Sequence, residues 1–226
     1  MNNQDISKKE QEKDLGIVFS TKSKFDDHIH LISKKANRQL GIITKVFSSR
    51  KPEIIIPLYK SFVRPHLEHN SVIWSPYTKK NENTVEKIQK RMCNLIYGTR
   101  NSLSYQDKLK LSNLLSLRAR RIRNSLIMLF KMKNKMIDLD FENFFDENRY
   151  RKTRGNIFKL VIPKSNTKFR KNFFTSSIVH HWNNLKSSDI NVRSINLFKR
   201  NIMRYMKREN IWWELNFQFI DNVCAW

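Results

Sequence analysis

Phe25, Ile29, Ile32, Ala36, Leu40, Ile43 and Phe47 recur at three- and four-residue steps, and no other feature of the sequence restricts the fold so strongly. Residues at those steps share one side of a 3.6-residue helix, so about six helical turns must bury that side against something else. Ser23 is the expected N-cap of this helix. The same period returns after Pro52 and Glu53, with Ile54, Leu58, Phe62 and Leu67 as the expected buried stripe and Pro52 near the helix start. Pro65 should kink or split this second helix and leave a shorter apolar piece that stops at Pro76. Val85, Ile88, Met92, Leu95 and Ile96 define a third helix over about residues 81–97, closed by Gly98. Ser104 to Asp107 reads as the capped start of a short helix ending near Leu111, followed by a longer helix from Leu117 to Lys135.

Outside these helices the pattern changes. Leu15 to Phe19 alternates as one solitary strand after a polar, frayed leader. Residues 138–156 turn acidic and aromatic and then basic, as a linker would. Ile157 to Ile162 alternates as a strand or extended arm, and a helix over Asn172 to Leu185 places Phe173, Ile178, Val179 and Trp182 in its core. Ser194 caps a last helix reaching about Lys207, before an aromatic tail. The expected fold is mainly α: a leader at 1–13, a helical bundle with one short N-terminal strand at 14–137, and a linker at 138–156. A second small helical region with an extended segment follows at 157–208, then the tail at 209–226.

The 44 Lys and Arg outnumber the 20 Asp and Glu by 24, a charge that attracts polyanions at long range and makes nucleic acid the first candidate partner. An apolar content of 39% separates the chain from disordered basic tails. Cys93 and Cys224 form no disulfide framework, and no N-terminal run resembles a signal peptide, so an intracellular setting, cytoplasmic or nuclear, is expected. The apolar runs at Ile54–Ile56 and Leu126–Phe130 are far shorter than the roughly 20 residues of a membrane span. The few glycines form no phosphate-cradling loop, and neither a cofactor nor a small-molecule substrate is expected.

Asp26 and Asp27 follow Phe25 and raise the possibility of polymerase metal chemistry. Two-metal nucleotidyl transfer needs a second carboxylate cluster, which the sequence lacks, and the residues after Asp27 keep helical period. The pair therefore reads as the acidic first turn of a helix, favoured there by the helix dipole. His66 and His69 have no second pair to complete a tetrahedral metal site, and are expected on one helical face in local contacts. Cys93 reads as a small buried residue rather than a nucleophile. Phosphate contact is better supported, by four clusters: Lys34, Lys35 and Arg38; Lys87, Lys90 and Arg91; Arg118, Arg120, Arg121 and Arg123; and Arg151, Lys152 and Arg154 with Arg149. No pattern for sequence-specific base readout emerges.

The stretches "KDLGIVFSTKSKFDDHI" (13–29), "KKANRQLGIITKVF" (34–47), "LYKSFVRPHLEHNSVIWSPY" (58–77) and "KIQKRMCNLIYG" (87–98) form a recognisable series. Together with later stretches up to "SINLFKR", they resemble the C-terminal part of the reverse transcriptases of non-LTR, LINE-type retrotransposons of the jockey-like branch. Val63 to Glu68 with Trp74 to Tyr77 is the most specific piece. The resemblance implies a thumb that holds template–primer duplex, followed by a basic C-terminal region. The family's catalytic aspartates come upstream of the Asp-Leu-Gly strand, whereas Asp26 and Asp27 come downstream. The expectation is a non-catalytic fragment of an RNA-directed DNA polymerase that binds duplex or RNA by phosphate contacts, with an upstream palm as a further partner if another chain supplies it. The alternative is a non-binding remnant that self-associates through the face a palm once covered.

Overall fold

The computed structural model describes residues 9–21, 25–99, 102–147 and 157–211. It is mainly helical, with a short two-stranded sheet near the N-terminus. Strand β1 (Gln11–Asp14) pairs antiparallel with β2 (Ile17–Ser20), Asp14 opposite Ile17. The strand is thus not solitary, and part of the expected leader is its partner. Leu15 and Gly16 form the turn, both at positive φ (45° and 84°), the geometry whose twist matches a two-residue hairpin. A Cβ on Gly16 would come 3.3 Å from His69 Nε2, so a side chain there is opposed by both space and backbone.

Helix α1 (Asp26–Val46) buries Ile29, Ile32, Ala36, Leu40 and Ile43, as its period requires. Arg50 closes its C-terminal end, donating from Nη2 to the Thr44 carbonyl at 2.9 Å and from Nη1 to that of Phe47. Ser23, the expected N-cap, lies outside the described residues. Helix α2 (Pro52–Leu58) continues through a π-turn at Tyr59–Val63 into α3 (Arg64–Glu68). The Arg64 N–H reaches back to the Tyr59 carbonyl just before Pro65, whose ring leaves no N–H to continue the regular ladder. With the wider turn the buried stripe keeps a four-residue step and differs from the expected one at its first three positions. Ile55, Tyr59, Val63 and Leu67 are buried at four-residue steps, whereas the expected Phe62 is 56% exposed and Ile54 and Leu58 are only half-buried.

After α4 (Ser71–Trp74), helix α5 (Lys79–Tyr97) is capped by the Thr78 hydroxyl and ends at Gly98, φ +83°. Helix α6 (Tyr105–Leu111) starts at Ser104, whose hydroxyl accepts from the Asp107 N–H and donates to the Asp107 carboxylate at 2.6 Å. Helix α7 (Leu117–Lys133) follows. One core runs from Ile17 to Leu117 around Tyr59, Trp74, Ile88 and Met92. A second runs from Leu115 to Ile211 around Phe130, Trp182 and Phe198, with the rings of Phe130 and Phe198 stacked at 4.0 Å. Phe141 and Phe145, within the expected linker, pack in this second core.

The arm at 157–162 opens in a turn at 157–158 and then makes a single bridge, Leu160 with Glu147. Asn183 completes its pairing: the side-chain amide accepts from the Leu160 N–H at 2.8 Å and donates to the Leu160 carbonyl at 2.9 Å. The expected helix over 172–185 is present as α9 (Phe174–Asn183), preceded by an unforeseen short helix α8 (Lys168–Asn172); the extended Phe173 between them is 40% exposed and not a core residue. Helices α10 (Ser187–Ile190) and α11 (Ile195–Arg208) complete the unit. Ser194 occupies the N-cap position of α11 without a side-chain cap bond. No described helix is long and apolar enough to cross a membrane.

Candidate nucleic-acid interface

Helices α1 and α5 pack side by side and run parallel. Asn81, in the first turn of α5, donates to the carboxylate of Asp26 in the first turn of α1, and ten residues further on Arg91 Nη1 donates to Asn37 Oδ1 at 3.4 Å. Burial of the apolar stripes turns the remaining faces outward. Lys34, Lys35 and Arg38 on α1 and Lys87, Lys90 and Arg91 on α5 are all exposed. Two of the four clusters read from the sequence are therefore on neighbouring helices, joined by the Asn37–Arg91 contact.

Lys45 was missed by that reading, although it lies seven residues beyond Arg38 and is likewise exposed. Lys34, Arg38 and Lys45 follow i, i+4, i+11 steps along the solvent side of α1, a strip about 16 Å long at 1.5 Å per residue. The spacing was available in the sequence; the gap at Gly41 concealed it.

The third cluster is placed differently. Arg121 is buried, 4% exposed, and Arg118 and Arg121 share the carboxylate of Glu82 at 3.5 and 3.4 Å. Arg120 engages Glu68 through two nitrogens, and Arg64 approaches the same carboxylate at 3.7 Å. Arg123 is half-buried, and burial followed by the nearby Arg120 charge pulls its guanidinium below the usual arginine range. Burial does the same at Arg121, opposed by Glu82 and Glu86. Arg121 is therefore an internal charge, and Arg118 and Arg120 are engaged with acidic residues of the fold. The chain has few acids, and Glu82 and Glu86 sit in the same helical stripe as Val85 and Gln89. That placement was the available signal that they face inward towards cations. Arg149, Arg151, Lys152 and Arg154 lie outside the described residues.

A polar seam accompanies these ion pairs. Glu86 accepts the Tyr105 hydroxyl at 2.6 Å and the Leu117 N–H at 3.1 Å, and burial raises its carboxyl above the ordinary range against those bonds. Tyr59 donates to Gln89 Oε1 at 2.8 Å, and Gln89 donates to the Leu115 carbonyl at 2.9 Å. Every partner is engaged within the fold, so the seam joins α5, α6 and α7.

The aspartates in question are in the first turn of α1, where Asp27 accepts from Gln11 at 2.7 Å. Among the described residues no group of three His, Cys, Asp or Glu is placed to hold a metal ion. His66 stays within α3, whereas His69 at its end adds a distant partner to its local contact with Asn70. His69 leaves the helical face and donates from Nε2 to the Leu15 carbonyl, 3.1 Å away in the hairpin turn, which fixes the hairpin on the bundle. Beside it, His28 is buried edge-on to Trp74 and accepts the Val18 N–H on Nδ1. Cys93 is buried among core residues, and burial pushes its thiol up to about 12. No family model, curated protein or solved structure matches the chain.

Proposed function

We propose that the chain binds duplex nucleic acid or structured RNA by phosphate contacts along the α1/α5 face, as a thumb-type module without polymerising activity of its own. The observation that carries this reading is the adjacency of two exposed cationic rows, Lys34, Lys35 and Arg38 beside Lys87, Lys90 and Arg91. A rigid pair of parallel helices holds such charges at fixed spacing, which favours phosphate binding over a scatter of surface lysines. The net charge of +24 adds long-range attraction. The resemblance of Val63–Glu68 and Trp74–Tyr77 to a retrotransposon reverse transcriptase supplies the thumb as the kind of module.

Filter binding or fluorescence anisotropy at graded salt tests the reading. Arg38→Ala and Arg91→Ala should each weaken binding evenly across sequences and reduce the slope of log K against log salt by about 1. Affinity indifferent to salt, or slopes unchanged in both variants, would refute it. A second reading, self-association, draws on Val46 and Phe62, which are 68% and 56% exposed. Light scattering behind size exclusion separates the two, because a monomer at micromolar concentration removes the second.

A further inference from the structure

Away from the α1/α5 face, a cavity of about 460 Å³ is walled by α4 and its following loop, α5, α7 and the segment from Ile162 to His181. Its size falls in the range of small-ligand sites. Much of the wall is apolar, with Val72, Ile73, Ile122 and Phe174 among its residues, and Tyr77 and Phe169 meet edge to face at 6.0 Å.

The polar part of the wall is one-sided. Arg118, Arg121, Lys164 and Lys171 are set against the single carboxylate of Glu82. Arg121 is 4% exposed and its Nη1 has no hydrogen-bond partner. The buried hydroxyl of Ser176, which also lines the cavity, has none either. A buried guanidinium nitrogen without an acceptor is costly, and an anion is the group that best satisfies it. We propose that this cavity binds a small molecule with an apolar body and a single anionic head, the head accepting from Arg121 Nη1 and the Ser176 hydroxyl.

Titration of the full chain with 2-naphthoate and with neutral 2-naphthamide tests the site, by calorimetry in ~0.15 M salt so that exposed surface charges are screened. One saturable site per chain is expected, with naphthoate at least about tenfold tighter, the worth of a hydrogen bond to a charged group. Arg121→Met should abolish that advantage while retaining naphthamide binding. Should Arg121→Met fail to fold, Ser176→Ala carries the decision, and a loss of about threefold or more in naphthoate affinity supports the site. Equal affinity for the two probes, non-saturating uptake, or a naphthoate advantage unchanged in the deciding variant overturns it.

Discussion

The guanidinium of Arg120 engages the carboxylate of Glu68 with two nitrogens, Nη2 at 2.9 Å from Oε2, across 52 residues of sequence. Both side chains are largely buried, 19% and 16% exposed, and Arg64 shares the acid. The pair ties α7 to the end of α3. Removing the acid leaves two partly buried cations without compensation, so Glu68→Ala should cost about 2 to 4 kcal/mol in urea unfolding, and Glu68→Gln less. The salt dependence of nucleic-acid binding should be unchanged, because Glu68 and Arg120 are not on the α1/α5 face. An unaltered unfolding midpoint for Glu68→Ala would contradict this account.

Gly41 sits inside α1, and a Cβ built there meets nothing within 4 Å. Glycine in a helix interior retains freedom in the unfolded chain that alanine lacks. Gly41→Ala should therefore raise stability by about 0.5 to 1 kcal/mol, read as a higher melting temperature. The position lies on the strip of Lys34, Arg38 and Lys45, so Gly41→Glu should weaken nucleic-acid binding while still folding. A destabilised Gly41→Ala chain would mean that the helix does not continue through this residue.

What the sequence made legible was the part governed by local period. Helices α1 and α5 were readable because each buries one stripe, and α6 because Ser104 caps it locally, just as Gly98 ends α5 within a residue of itself. Strand β1 was not, because Gln11 to Asp14 is exposed throughout and carries no apolar alternation. The stripe at 55–67 was off by one at its first three positions because Ile54, Ile55 and Ile56 are all apolar and a fixed 3.6 period does not anticipate the four-residue step that accompanies a π-turn. The arginines of α7 were read as surface charge because their partners, Glu68 and Glu82, lie 52 and 39 residues away from Arg120 and Arg121. For the candidate interface, sequence supplied the exposed rows, and only packing supplied the fact that two of them are neighbours.

Cys93 should be chemically silent in the folded chain. Burial holds its thiol near 12, and the reactive species is the thiolate. At pH 8, in a Cys224→Ser background, iodoacetamide should modify Cys93 at least about a thousandfold more slowly than a free thiol. Denaturant should restore the ordinary rate. Rapid labelling without denaturant would place Cys93 outside the core.

His181 gives the fold a dependence on pH. Burial, then the neighbouring His180 and Arg118 charges, lower it to about 3 from an ordinary 6.5. Between those values the unfolded chain takes up a proton that the folded chain refuses. The contribution is therefore whole above about 6.5 and declines as pH falls towards 3, by at most about 1.4 kcal/mol per pH unit. Burial of His28 acts with the same sign, whereas the raised carboxyl of Glu86 acts oppositely, and both are common to wild type and variant. His181→Asn should thus unfold at a midpoint less sensitive to pH between about 6.5 and 4, the gap from wild type narrowing as the medium becomes acidic. Parallel midpoint curves for the two chains would show that the His181 imidazole ionises as freely in the folded protein as in the unfolded one.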